Sequence, residues 1–232
     1  MNRILAIDSG TDFLSVALWE ERVVFEKTAF VPKQHSELLP KFVDDALIAK
    51  GLSPADISCV ALAIGPGSYT GLRVGVAFVQ GFVLCTNAKI IAVDSLLAQA
   101  GRYCLNDLPV AVIIDARAGY IYGGIFDVRT APIAIKPSAL SKPNEFAKEL
   151  SSRGRVILCG SGAQQFLPSL NQSAKGTEFI IPYDSCIISA GIIAQMAFGK
   201  MKQGEFVAPE TLEPAYLRDF VPGVRKRKPI IG

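Results

Sequence analysis

A mixed α/β fold is the class this sequence predicts, and three features carry it. The chain opens on closely spaced strand-like runs with no helical stretch between them. Buried-looking apolar strands then alternate with helical patterns, and the opening motif returns near the middle of the chain.

Residues 4–8 form a short apolar run closed by Asp8-Ser9-Gly10-Thr11, a strand followed by turn residues. Residues 13–19 and 22–27 predict two more strands joined at Glu20-Glu21, which completes a three-strand meander. Across residues 35–50, Leu38, Leu39, Phe42, Ala46 and Leu47 recur at helical spacing; Gly51 stops that helix, and Ser53-Pro54-Ala55-Asp56 introduces the next segment. Residues 59–64 are continuously apolar, as in a parallel strand covered on both faces. They lead into Gly65-Pro66-Gly67-Ser68-Tyr69-Thr70-Gly71-Leu72-Arg73 and a long apolar helix to about residue 86. A strand at residues 89–93 and a helix from Asp94-Ser95 close the first half.

After Asp107-Leu108-Pro109, strands are expected at residues 110–115 and 120–128, followed by punctuation at Pro132, Pro137 and Pro143. A helix near residues 144–150, a strand at 156–159, a turn at Gly160-Ser161-Gly162 and a largely apolar helix at 185–201 follow. Residues 6–13 (AIDSGTDF) and 113–120 (IIDARAGY) share one plan: an apolar strand, an Asp at its end, a small-residue turn and an aromatic-bearing return. A duplicated unit is favoured over a chance likeness of hairpins.

The 232 residues are 50% hydrophobic and 19% charged with net charge +3, which excludes a disordered chain. Asp8 interrupts the apolar start where a signal peptide would continue, so a cytoplasmic protein with five reduced cysteines is expected. A single histidine, His35, excludes metal sites that need a histidine pair, and no GxSxG elbow supports a hydrolase. With pI near 8.6, the basic run Arg225-Lys226-Arg227-Lys228 points to an auxiliary nucleic-acid role at most.

Two loops invite a phosphate: the Asp8-Ser9-Gly10-Thr11 turn, and the glycine-rich loop at 65–73, which lacks the Walker lysine. The helix after it has one apolar stripe of Leu72, Val76, Val79 and Val83 and another of Val74, Phe78 and Phe82, with Gly71 and Gly75 one turn apart. Such a helix has more apolar surface than one sheet covers, so partner binding is preferred to catalysis here.

The segments Ile4-Leu5-Ala6-Ile7-Asp8-Ser9-Gly10-Thr11, Gln34-His35-Ser36-Glu37-Leu38-Leu39-Pro40, Gly65 to Arg73, Asp115-Ala116-Arg117 and Pro214-Ala215-Tyr216-Leu217-Arg218 resemble, in order, the motifs of the TsaB (YeaZ) family. The resemblance implies a two-lobed actin-like ATPase (ribonuclease H-like) fold, each lobe a mixed sheet flanked by helices. It implies a first lobe of residues 1–107 plus 185–221, a second lobe of 108–184 and a basic tail at 222–232. It further implies a non-catalytic scaffold that activates the paralogue TsaD in placing threonylcarbamoyl on the tRNA adenosine beside the anticodon. TsaE, an ATPase, joins that complex; the chain alone forms a homodimer and meets tRNA only through the complex. By position, Leu38, Phe42, Gly71, Leu72, Gly75, Val76 and Val79 are the expected partner interface. The turn Asp8, Ser9, Gly10, Thr11 departs from the family's commoner Asp-Thr-Ser/Ala-Thr, leaving a vestigial phosphate loop with weak nucleotide binding and no required cofactor or metal. The competing readings are a kinase-like ATPase, with Asp8 and Asp115 flanking a magnesium nucleotide, and a glycoprotease-like peptidase using His35.

Overall fold

Two five-stranded sheets, built to one plan, dominate the computed structural model, which describes residues 2–217. The first half contributes β1 (Arg3–Asp8), β2 (Phe13–Glu20), β3 (Val23–Phe30), α1 (His35–Lys50), β4 (Cys59–Gly65), α2 (Tyr69–Leu84), β5 (Lys89–Asp94) and α3 (Ser95–Gly101). The second contributes β6 (Val110–Asp115), β7 (Ile121–Asp127), β8 (Ile133–Ser141), α4 (Pro143–Leu150), β9 (Gly154–Cys159), α5 (Ala163–Ser173), β10 (Thr177–Ile180) and α6 (Ala190–Gln203). Strand order is β3-β2-β1-β4-β5 in one sheet and β8-β7-β6-β9-β10 in the other. In each, the central strand pairs antiparallel with the next in sequence and parallel with the one after the first helix of its half. The echo between residues 6–13 and 113–120 therefore marks a true structural repeat.

The central strands are buried on both faces because helices cover both sides. α1 and α2 close one face of the first sheet over Leu5, Ile7, Val60 and Leu62, and α6 closes the other over Ile4, Ala6, Ala61 and Ile91. α4 and α5 cover one face of the second sheet, while Leu96 and Ala100 of α3 pack on its other face. The final helices of the halves are thus exchanged: α3 reaches the second sheet, and α6, made last, covers the first.

Local chemistry explains the boundaries. α1 ends where Gly51 takes a left-handed conformation (φ 62°), which glycine adopts without a side-chain clash. α6 begins where its unpaired N–H groups meet acceptors from the first sheet. Ser15 Oγ accepts from the Ala190 N–H (3.0 Å), and the Glu26 carboxylate accepts from the Gly191 N–H (3.2 Å) and the Ser189 hydroxyl (2.7 Å). This helix starts later than its apolar run suggested, since residues 185–188 precede the Ser189 cap. The strands β8 and β10 were not expected. Both are sheet edges, and Pro137 lies within β8 because an edge strand tolerates a missing donor.

Residues 204–217 return as a strap along the edge of the first sheet. The Val207 N–H donates to the Ile90 carbonyl (2.9 Å), Leu212 is buried, and the Ala215 N–H donates to the Ile64 carbonyl (2.8 Å). The Gln80 side chain of α2 donates to the carbonyls of Pro209 (3.0 Å) and Leu212 (3.3 Å), fastening the strap to the helix. Arg218 and the basic run at 225–228 lie outside the described residues.

Among the described residues no helix is long and apolar enough to cross a membrane, and no group of three or more His, Cys, Asp or Glu is gathered as a metal site. The five cysteines are free thiols; Cys59 and Cys159 are buried and Cys85 is exposed. Burial pushes the Cys59 thiol up to about 12 and raises that of Cys159 as well. Because the thiolate is the reactive form, Ellman's reagent should titrate Cys85 rapidly in the native protein and reach Cys59 and Cys159 only on unfolding.

Candidate partner-binding face and closed phosphate corner

The turn after β1 and the start of α2 are in backbone contact. Ser68 caps α2, its Oγ accepting from the Gly71 N–H (3.3 Å), while its own N–H donates to the Gly10 carbonyl (2.7 Å). The Ser9 hydroxyl donates to the Gly71 carbonyl (2.9 Å). A Cβ at Gly67 would stand 2.4 Å from Gly10 O, one at Gly71 2.0 Å from Ser9 O, and one at Gly75 2.5 Å from Ser9 Oγ. Those glycines therefore exist to let the helix press against the Asp8-Ser9-Gly10-Thr11 turn.

This contact buries the turn at which a phosphate was expected. Asp8 and Ser9 are fully buried and Thr11 nearly so. Asp8 Oδ1 accepts from the Gly10 N–H (3.1 Å), whereas Oδ2 is buried without a hydrogen-bond partner. Loss of water raises the Asp8 carboxyl to about 7, against a smaller opposing effect of the Gly10 hydrogen bond. A phosphate there would have to displace the α2 N-terminus. The matching Asp115, at the end of β6, instead accepts from the Arg117 N–H (2.8 Å) and lies 3.7 Å from its guanidinium. His35 is buried, with Nε2 3.3 Å from the Phe13 carbonyl oxygen, so it faces backbone rather than a nucleophile.

The burial pattern of α2 corrects the choice of interface residues. Leu72, Val76 and Val79 lie at 2%, 8% and 0% exposure in the core beneath α2, and Gly71 and Gly75 face Ser9. Phe42 is at 4% exposure, with the Lys27 ammonium 4.2 Å from its ring centroid. These six positions are committed inside the chain and offer no surface to a partner. Of the residues chosen, Leu38 alone remains half-exposed. The face that α2 presents outward is Thr70, Arg73, Ala77, Gly81 and Leu84, flanked by half-buried Val74, Phe78 and Phe82. Leu84 is 81% exposed, and a Cβ on Gly81 would meet nothing within 4 Å. The second stripe thus borders open surface, and the first is the sheet-facing one. The glycines were the available signal: they share the Leu72–Val76–Val79 side, where the close approach is internal.

At one end of this face the Arg73 guanidinium lies 4.0 Å from the Tyr69 ring centroid, and its Nε donates to the Tyr216 hydroxyl (2.8 Å). The Tyr69 and Tyr216 rings are 5.2 Å apart, joining α2 to the strap. Tyr69 and Arg73 lie in one of the motif segments and Tyr216 in another, but their contact across 143 positions has no local signal.

Two repeats of the 3-2-1-4-5 sheet with exchanged helices make this a two-lobed protein of the actin-like ATPase, ribonuclease H-like architecture. Residues 26–148 match the family model described as TsaD, tRNA N6-adenosine threonylcarbamoyltransferase. The chain is 32% identical to the tRNA threonylcarbamoyladenosine biosynthesis protein TsaB of Escherichia coli K12, over 94% of this chain and 96% of that protein. The Bacillus subtilis TsaB is 36% identical over 54% of this chain and 56% of its own length. The crystal structure of YeaZ from Pseudomonas aeruginosa superposes with a TM-score of 0.81 at 24% identity, covering 94% of this chain and all of that one. The chain belongs to the TsaB family of tRNA threonylcarbamoyladenosine biosynthesis proteins.

Proposed function

We propose that this protein is a non-catalytic subunit that binds TsaD and activates its transfer of threonylcarbamoyl to tRNA. The observation that carries the reading is the pairing of a closed phosphate corner at Asp8 with an open, nearly uncharged face on α2. A nucleotide phosphate at that turn would need the space that the start of α2 occupies here. A scaffold needs an apolar surface with small residues that let another helix approach, as Ala77 and Gly81 do between Phe78, Phe82 and Leu84. In the absence of TsaD the same face suits a second copy of the chain. TsaE joins the assembled pair, and tRNA is met through the complex. A kinase-like ATPase is disfavoured by the roof over Asp8, and a peptidase by the backbone acceptor facing His35.

The test is reconstitution of tRNA modification from purified TsaD and TsaE with and without this chain. Product should form only when it is present, and the chain alone should neither modify tRNA nor hydrolyse ATP. Ala77→Asp, on the exposed face, should abolish co-elution with TsaD while leaving the unfolding free energy from urea titration within about 0.5 kcal/mol of wild type, as at ordinary surface sites. Val76→Asp, one residue earlier but buried at 8% exposure, should instead unfold the protein, since an unpaired core charge costs at least about 3 kcal/mol. An intact complex with Ala77→Asp would remove the docking face assigned here.

A further inference from the structure

α2 contains one charged residue in sixteen, Arg73, and it stands where a cation is least favoured, within about a turn of the helix N-terminus. No carboxylate among the described residues pairs with it. The guanidinium is nonetheless held in place: the Tyr69 ring lies 4.0 Å from it, and the Tyr216 hydroxyl, delivered by the strap, accepts a hydrogen bond from its Nε–H at 2.8 Å. The strap is fixed in turn by Gln80 and by the Ala215–Ile64 hydrogen bond. Two aromatic contacts have therefore removed the side-chain freedom that a surface arginine normally keeps, while among the described residues its two terminal Nη groups meet no acceptor.

Resting on the docking reading above, we propose that Arg73 is a preset anchor for a carboxylate of the partner that covers α2. The fork of Nη1 and Nη2 suits a bidentate Asp or Glu at the rim of the apolar strip formed by Ala77, Gly81 and Leu84. Arginine and tyrosine at the edge of a small-residue helix face form a polar rim with its geometry already fixed, so little ordering remains for the moment of binding. The acid comes from a protein partner rather than an RNA phosphate because the surface continuing from Arg73 along α2 is apolar and carries no second cation. It also favours a different chain over a second copy: two α2 helices packed on each other bring two arginines and no acid to the contact.

The experiment measures the affinity of the full-length chain for purified TsaD at 50 mM and 500 mM NaCl, for wild type, Arg73→Gln, Arg73→Lys and Tyr216→Phe. At low salt Arg73→Gln should weaken binding by about tenfold or more and flatten its salt dependence. Arg73→Lys should recover only part of the loss, because the ammonium cannot match the fork. Tyr216→Phe, which keeps the ring but loses the hydroxyl, should lie between wild type and Arg73→Gln. Homodimer affinity should rise or hold steady in Arg73→Gln. Thermal unfolding of each variant shows whether the fold is intact; should Arg73→Gln be destabilised, Tyr216→Phe carries the test. If wild type does not bind TsaD, the docking reading falls and this inference with it. If wild type binds and Arg73→Gln binds equally at both salts, only the anchor is overturned. Loss of tRNA affinity in the assembled complex, with protein–protein affinity unchanged, would reassign Arg73 to phosphate and likewise overturn it.

Discussion

Gly71→Ala is expected to destroy the native fold. The added Cβ would stand 2.0 Å from the Ser9 carbonyl oxygen, far inside van der Waals contact, and the atom it meets is backbone. Neither side can swing away: Ser9 is fixed at the end of β1, and its hydroxyl is bonded to the Gly71 carbonyl. Relief requires lifting α2 off the sheet, which separates Val76, Val79 and Val83 from the core. The loss should exceed the roughly 1–3 kcal/mol typical of overpacking and appear as insoluble protein or a collapsed urea midpoint. Gly81→Ala is the internal control on the same helix. Its Cβ meets nothing within 4 Å, so the substitution should stabilise the isolated chain by up to about 1 kcal/mol through improved helix propensity. In complex with TsaD, the same methyl should weaken docking if a partner helix packs closely there.

The second large effect is a pH dependence traceable to Asp8. Its carboxyl titrates near 7 in the fold and near 3.8 when exposed. Between those values the folded chain keeps a proton that the unfolded chain has released, so stability is highest below about pH 4 as far as this group is concerned. It declines as pH rises towards 7 and is flat above, where both states are ionised. At about 1.4 kcal/mol per pH unit, the shift amounts to roughly 4 kcal/mol. Asp8→Asn carries no titrating proton, so the difference in unfolding free energy between wild type and variant should change by that order from pH 4 to pH 8, in the sense that wild type loses. Parallel pH profiles for the two proteins would mean that the buried carboxylate is paired or hydrated.

Much of this architecture is legible in the chain. The helix at 35–50 and the strand at 110–115 are marked by periodicity and by Gly51 or Asp115 at their ends, because local pattern and burial agree there. The repeat is visible through the two Asp-terminated strands, since both are central strands with the same neighbours. The two edge strands of the second sheet were missed for a physical reason: β8 and β10 are half-covered, so neither alternation nor a continuous apolar run develops, and Pro137 reads as a break. The candidate face was legible as a surplus of apolar surface on α2 but not as particular residues. With apolar side chains on two sides, periodicity cannot say which stripe meets the sheet; only the contact between Gly71 and Ser9, 62 positions apart, decides it. The Arg73–Tyr216 pairing spans 143 positions and has no local signature at all.

The exchange of α3 and α6 has a consequence during synthesis. The first sheet is complete once Asp94 has been made, yet of the face lined by Ile4, Ala6, Ala61 and Ile91 only the part that Ala98 of α3 touches is covered before residues 188–203 emerge. At roughly 5–20 residues per second, the nascent chain carries a largely uncovered apolar sheet face for on the order of ten seconds. Ribosome-bound chains halted before Ala190 should accordingly recruit holdase chaperones, and those released beyond Gln203 should let them go.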